Sequence, residues 1–274
     1  MKAHSAFLTT ERFNAQTTGT EVEYKILLPP NMPADRALPL IMHFHAAMSS
    51  SSSLEAAMPA YERAWAEGTL PAAIVVCAST PTLGGFYINH PDGPQWESLI
   101  SDELPELLSS RYALAPGRGA IGFSMGGYGA LKAALRNPKD YRAVAALCPA
   151  IFPAETSQTV PKHNRPSILN DLNEAMGADA KTYSSNSVHS ILRGNTEAIR
   201  SQSLQIFVDC GEVDEFNLHD GALYLRETLT ELAVPHTFHS VPNAGHADAL
   251  AYARQDAAVR FIGEALFAAN RNFD

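Results

Sequence analysis

Six consecutive residues, Gly122-Phe123-Ser124-Met125-Gly126-Gly127, stand between a short apolar stretch (Ala120, Ile121) and a helix-like run from Tyr128 to Arg136. The pattern GxSxG at a strand-to-helix junction forces its serine into a strained turn. Glycines stand where Cβ atoms would clash, and the hydroxyl is left exposed at the N-terminal end of the helix. There the helix dipole and free N–H groups stabilise negative charge on an oxygen beside the serine. The string alone is weak, because an ordinary tight turn looks the same; its place after a strand and before a helix gives it weight.

A serine hydroxyl is a poor nucleophile at neutral pH. It needs a general base to take its proton and a third group to hold that base in the right tautomer, and on a fold with this elbow the partners follow in the order Ser, acid, His. His246, in Pro242-Asn243-Ala244-Gly245-His246, lies after the last predicted strand and before the last predicted helix, where its ring can overhang the carboxyl ends of the strands. The other histidines have no such position: His43, His45, His236 and His239 fall on or near strands, and His163, His189 and His219 lack a glycine-flanked loop. Asp214, in Val208-Asp209-Cys210-Gly211-Glu212-Val213-Asp214, is the favoured acid, with Glu212 and Asp209 as alternatives. Oxyanion donors are expected from the N–H of Met125 and from the loop His45-Ala46-Ala47-Met48, with Ala47 favoured over Ala46.

The elements that must position these groups read as an alternation of strands and helices. Glu21 to Leu28 is a strand ended by Pro29-Pro30, and Leu38–Phe44, Ala72–Ala78, Ala143–Cys148, Leu204–Cys210 and His236–Val241 are further strands. Helices are expected over Leu54–Glu67, over Trp96–Tyr112 with a kink or restart at Pro105, over Leu218–Leu232 and over Asp248–Ala268. The serine run Ser49–Ser53 reads as a mobile loop whose last member caps the helix near Leu54. Such an alternation calls for an α/β fold, a mostly parallel central sheet with helices on both faces, in one domain over residues 1–274. Two segments break the pattern and read as loops or cap pieces over the catalytic face: Thr80–Gln95, and Ile151–Arg200 with one short helix.

The chain has 274 residues, 46% of them hydrophobic, enough for a substantial core. Its 20 Lys and Arg against 29 Asp and Glu, a net charge of -9, argue against a nucleic-acid footprint. No apolar run approaches the roughly 20 residues needed to span a bilayer. Neither a secretion signal at Met1 nor a disulfide or zinc framework from Cys77, Cys148 and Cys210 is visible, so a cytoplasmic protein with reduced, buried thiols is expected. A small-molecule ester is the expected partner, and a homodimer is one assembly the chain admits. His43-Phe44-His45 places two imidazoles on one side of a strand, but no carboxylate companion is near, and neither a metal nor a cofactor is expected.

Taken together, GFSMGGYGAL, QWESLISDELPELLSSRY, VDCGEVDEF and NAGHADAL resemble the esterase D family of α/β-hydrolases, which includes S-formylglutathione hydrolases, feruloyl and acetyl esterases and mycolyltransferases. The similarity runs from about Glu21 to the last helix and is faintest over Ile151–Arg200. The resemblance implies that Ser124 attacks an acyl carbonyl, His246 shuttles the proton, Asp214 orients His246, and the N–H groups of Met125 and Ala47 form the oxyanion hole. The chain departs from the family where the early strand usually ends in His-Gly, since His45 is followed here by Ala46. It also lacks the cysteine-bearing loop typical of S-formylglutathione hydrolases after that strand. The leading expectation is a serine carboxylesterase with Phe86, Tyr87, Tyr128 or Trp96 against the substrate, although Trp96 looks like the buried face of its helix. An acyltransferase using the same acyl-enzyme and a non-catalytic binding protein are the alternatives.

Overall fold

A computed structural model describes residues 6–33, 36–248 and 251–270. The described strands are β1 (Phe7–Ala15), β2 (Thr20–Leu28), β3 (Leu40–Phe44), β4 (Ile74–Ala78), β5 (Arg118–Phe123), β6 (Tyr141–Leu147), β7 (Gln205–Gly211) and β8 (Thr237–Val241). They form one sheet in the order β1-β2-β4-β3-β5-β6-β7-β8. Among these strands the β1–β2 and β2–β4 pairs are antiparallel and the rest are parallel. The helices are α1 (Ser53–Ala66), α2 (Trp96–Ser98), α3 (Leu104–Ser109), α4 (Met125–Arg136), α5 (Ile168–Ala175), α6 (Ala180–Asn186), α7 (Val188–Ser201), α8 (Leu218–Glu231) and α9 (Ala251–Asn270). This is an α/β-hydrolase architecture, with the parallel strands delivering their carboxyl ends to one edge.

The central strands are apolar throughout because each faces two layers. Met42, Val76, Val144 and Ala146 enter the core on the side of α4 and α7, while their strand neighbours Ile41, Val75, Ala143 and Ala145 pack with α1 and α9 on the other. The described residues include no helix long and apolar enough to cross a membrane.

Several expectations need correction. The sheet starts earlier than Glu21: β1 is a half-exposed edge strand whose polar residues carry no apolar signal, and it is held to β2 through pairs such as Phe13 on Tyr24. Ser49–Ser53 is not simply a mobile loop capped by its last member. Ser51 is wholly buried, bonded to Ser79 Oγ and Glu23, and Ser53 is the first helical residue, its hydroxyl bonded to His43 Nε2 at 3.1 Å. Ile151–Arg200 holds three helices rather than one. Its polar residues are partly caps, with Asp179 accepting from the N–H groups of Lys181 and Thr182 and Ser187 from that of Ser190. The amphipathic α7 buries Val188, Ile191, Leu192 and Ile199 and packs on α4.

The break at Pro105 takes the form of a π-helical stretch over Leu99–Glu103 between α2 and α3, with Leu104 N–H donating to Leu99 O just before the proline that cannot donate. The last helix is described from Ala251; residues 249–250, which end the NAGHADAL string, lie outside the described residues. Cys77, Cys148 and Cys210 are free and buried.

Candidate active site

Ser124 sits between β5 and α4 with φ 57° and ψ −117°, a conformation disfavoured for any residue bearing a Cβ. The flanking glycines make it attainable. A Cβ on Gly122 would lie 2.2 Å from Gly126 O, and one on Gly126 would lie 2.1 Å from Phe44 O. The second contact also shows how closely the end of β3 is drawn onto the first turn of α4. Ser124 N–H is anchored on Leu147 O at 2.9 Å.

Three groups from distant parts of the chain meet there. Ser124 Oγ lies 3.0 Å from His246 Nε2, and His246 Nδ1 lies 2.7 Å from Asp214 Oδ2. The Asp214 side chain is fully buried, and its Oδ1 accepts from Phe216 N–H at 2.9 Å and Leu218 N–H at 3.3 Å. Burial works to raise the Asp214 pKa, but His246 and these backbone donors outweigh it and hold the carboxyl below its ordinary value. For His246, burial opposes the charged form; the hydrogen bond and charge of Asp214, together with Cys148, prevail and push its pKa up to about 9. The rings of Phe123 and Phe216 pack against His246 at 4.8 and 4.9 Å between centroids.

The two alternative acids are engaged elsewhere. Asp209 is paired with Arg254 within the core, and Glu212 accepts from Ser240 Oγ, which leaves Asp214 as the carboxylate on the His246 ring.

Met125 opens α4, and the first-turn N–H groups of a helix have no acceptor within it. On the facing loop, Thr80 N–H donates to His45 Nε2 at 2.9 Å, so the ring proton sits on Nδ1 and is donated to Ala46 O at 2.8 Å. Because a trans peptide points its C=O and N–H in opposite directions, fixing Ala46 O on the His45 ring turns the Ala47 N–H the other way. The alanine that stands where the family has glycine is therefore held by its own neighbouring histidine.

The aromatic wall anticipated from sequence is placed differently. Phe86, Tyr87 and Tyr128 are each no more than 2% exposed, and they serve packing and hydrogen bonding. Tyr87 Oη donates to His45 O at 3.1 Å, its ring lies flush on Gly129, and its own carbonyl accepts from the buried Lys132 Nζ at 3.1 Å. Tyr128 Oη donates to Asn186 O at 2.9 Å, tying α4 to the end of α6. Trp96 is buried, as its helical spacing suggested. A cavity of about 210 Å³ lies instead next to the elbow, lined by Ala46, Gly122, Phe123, Leu147 and Ala247 together with His43 and Ala57, and its lining stops short of Ser124 and His246. The nitrogens of His43 are engaged by Tyr61 Oη and Ser53 Oγ, so they are not presented as a metal pair with His45.

Sequence reasoning missed three residues that hold this arrangement. Glu215 Oε2 accepts from His246 N–H at 2.8 Å, Arg254 lies under the His246 loop, and Cys148 Sγ approaches His246 O at 3.7 Å. Glu215 had the signal of adjacency to Asp214; the other two had none.

A family model described as "Putative esterase" matches residues 15–250. A segment of 79 residues is 42% identical to the S-formylglutathione hydrolase of Mus musculus, covering 26% of this chain and 28% of that protein's length. Among solved structures, a ferulic acid esterase superposes with a TM-score of 0.77 at 18% identity, over 96% of this chain and 99% of that one. An S-formylglutathione hydrolase from Agrobacterium tumefaciens gives 0.78 at 18% identity, over 97% and 98%. At that identity the superpositions speak for the fold alone.

Proposed function

The chain belongs to this esterase family, and from that premise we propose that it is a serine carboxylesterase working through an acyl-enzyme on Ser124. The single observation that carries the reading is the unbroken hydrogen-bonded relay from Ser124 Oγ through His246 to the buried Asp214, at a serine with positive φ. His246 Nε2 takes the Ser124 proton as Oγ attacks the ester carbonyl, and Asp214 holds Nδ1–H so that Nε2 is the free base. The N–H groups of Met125 and Ala47 are the proposed donors to the oxyanion. His246 then returns the proton to the departing alkoxide, and a water activated by the same nitrogen releases the acid. The proposed chemistry calls on these protein groups and water.

The cavity beside the elbow is the proposed seat of a compact, largely apolar acyl group. Its volume of about 210 Å³ is small for a ligand pocket, which commonly runs from about 300 to 1,000 Å³.

The test is a panel of p-nitrophenyl esters of increasing acyl length, a feruloyl ester and S-formylglutathione, assayed with wild type and Ser124→Ala. Hydrolysis of short-acyl esters that falls at least about a thousandfold in Ser124→Ala is expected. Retention of most activity by the variant sinks the proposal, as does a wild type that no fluorophosphonate labels at Ser124.

A further inference from the structure

The peptide bond between Gly245 and His246 is gripped at both ends by side chains of opposite charge. Its N–H donates to Glu215 Oε2 at 2.8 Å, and its C=O accepts from Arg254 Nη1 at 3.4 Å. Glu215 comes this close because Gly245 has no side chain: a Cβ there would lie 2.6 Å from Glu215 Oε1. Arg254 is 6% exposed and is itself fixed on two central strands, with Nε on Asp209 of β7 and Nη2 on Cys148 Sγ at 2.7 Å, just beyond β6. Hydrogen bonding with Cys210, against the cost of burial, and the Arg254 charge draw the Cys148 thiol below its ordinary range, which strengthens that anchor.

We propose that Glu215 and Arg254 are paired positioning residues that clamp the Gly245–His246 peptide plane and thereby aim the His246 imidazole at Ser124 and Asp214. The role assigned to the imidazole rests on the esterase reading above; the clamp itself is a matter of geometry. With the plane fixed, the direction of the His246 side chain depends only on φ and its two side-chain torsions. Both short contacts of the ring, 3.0 Å to Ser124 and 2.7 Å to Asp214, must be met within those three rotations. Hydrogen bonds to ionised partners are roughly twice as strong as neutral ones; the 2.8 Å bond from His246 N–H to the Glu215 carboxylate is of that kind, while the 3.4 Å contact from Arg254 restrains the C=O end more loosely. One loop thus serves His246 twice: Asp214 orients its ring and the next residue, Glu215, fixes its backbone.

The experiment compares wild type with Glu215→Ala, Glu215→Gln and Arg254→Lys. It measures kcat and KM on p-nitrophenyl acetate and the low-field proton NMR resonance of His246 Nδ1–H. Glu215 is exposed, so its variants are expected to fold as wild type does. The clamp requires Glu215→Ala to lower kcat about tenfold with KM within about twofold, and to broaden the resonance, since small misplacement of a catalytic group costs one to two orders of magnitude. Glu215→Gln, which keeps an acceptor, restores most of both, and Arg254→Lys falls between. An unchanged kcat with a sharp resonance in Glu215→Ala overturns the clamp, and so does a lowered Tm with both readouts intact. Should wild type hydrolyse no ester and escape fluorophosphonate labelling, the esterase reading falls alone, and the resonance still decides the clamp.

Discussion

Asp209 and Asp214 belong to one short stretch of chain, yet they end in different company, and exchanging each for its amide separates their tasks. Asp214 accepts from His246 and two backbone N–H groups, so Asp214→Asn is expected to lose about ten thousandfold in kcat with the fold intact. Asp209 is the buried carboxylate partner of Arg254, and Asp209→Asn leaves that guanidinium, among the described residues, with only Cys148 and the Gly245 carbonyl, at a cost of about 3 kcal/mol in urea unfolding. Equal activity losses in the two variants would contradict this division. The raised pKa of His246 fixes the direction of the pH dependence. The base must be neutral to accept the Ser124 proton, so kcat/KM is expected to climb as pH rises through about 9 rather than through the ordinary 6.5. Because the folded value is raised, the stabilisation from the protonated imidazole is complete below the unfolded pKa and is lost as pH rises through about 9. A pH–rate profile with its acid limb below 6.5 contradicts the first expectation.

At the scale of elements, the β5–turn–α4 unit was legible because its glycines are demanded by backbone contacts, and such demands are written in residue type. The loop proposed to supply the Ala47 oxyanion donor was legible only as a place. What holds it comes from elsewhere: the segment 80–95 delivers Thr80 to the His45 ring and Tyr87 to the His45 carbonyl, while Lys132 of α4 holds Tyr87 O and pairs with Glu97 at 2.9 Å. Phe86 and Tyr87 both have positive φ, so the segment that sequence suggested as a substrate wall is a folded strut beneath the loop. Tyr87→Phe removes one hydrogen bond and leaves His45 O buried without it. A loss of about 1 to 2 kcal/mol in denaturant unfolding is expected, together with a drop in kcat from a loosened Ala47 N–H. An unchanged kcat would detach Tyr87 from the oxyanion loop. Where the sequence suggests one short helix the segment 151–200 holds α5 to α7, because its Pro, Asn and Ser content reads as loop, whereas Asp179 and Ser187 cap helices whose buried faces are visible only once α4 is there to receive them.

Across the whole molecule, one eight-stranded sheet brings Ser124, Asp214 and His246 from the ends of β5, β7 and β8 to a single edge, with α1 and α9 on one face and α4 and α7 on the other. The sequence by itself determined the strand–helix alternation, the strained serine turn and the order of its partners, because periodicity and glycine placement are local consequences of backbone geometry. It favoured Asp214 over Asp209 and Glu212 without the contacts that separate them, and it did not see that Phe86, Tyr87 and Tyr128 turn inward. It also held no sign that Arg254 and Cys148 lie beneath His246. Those outcomes depend on the register between β6, β7 and β8 and on which side chains share a buried volume. Contacts between residues far apart in the chain are set by packing and burial, and only the tertiary structure decides them.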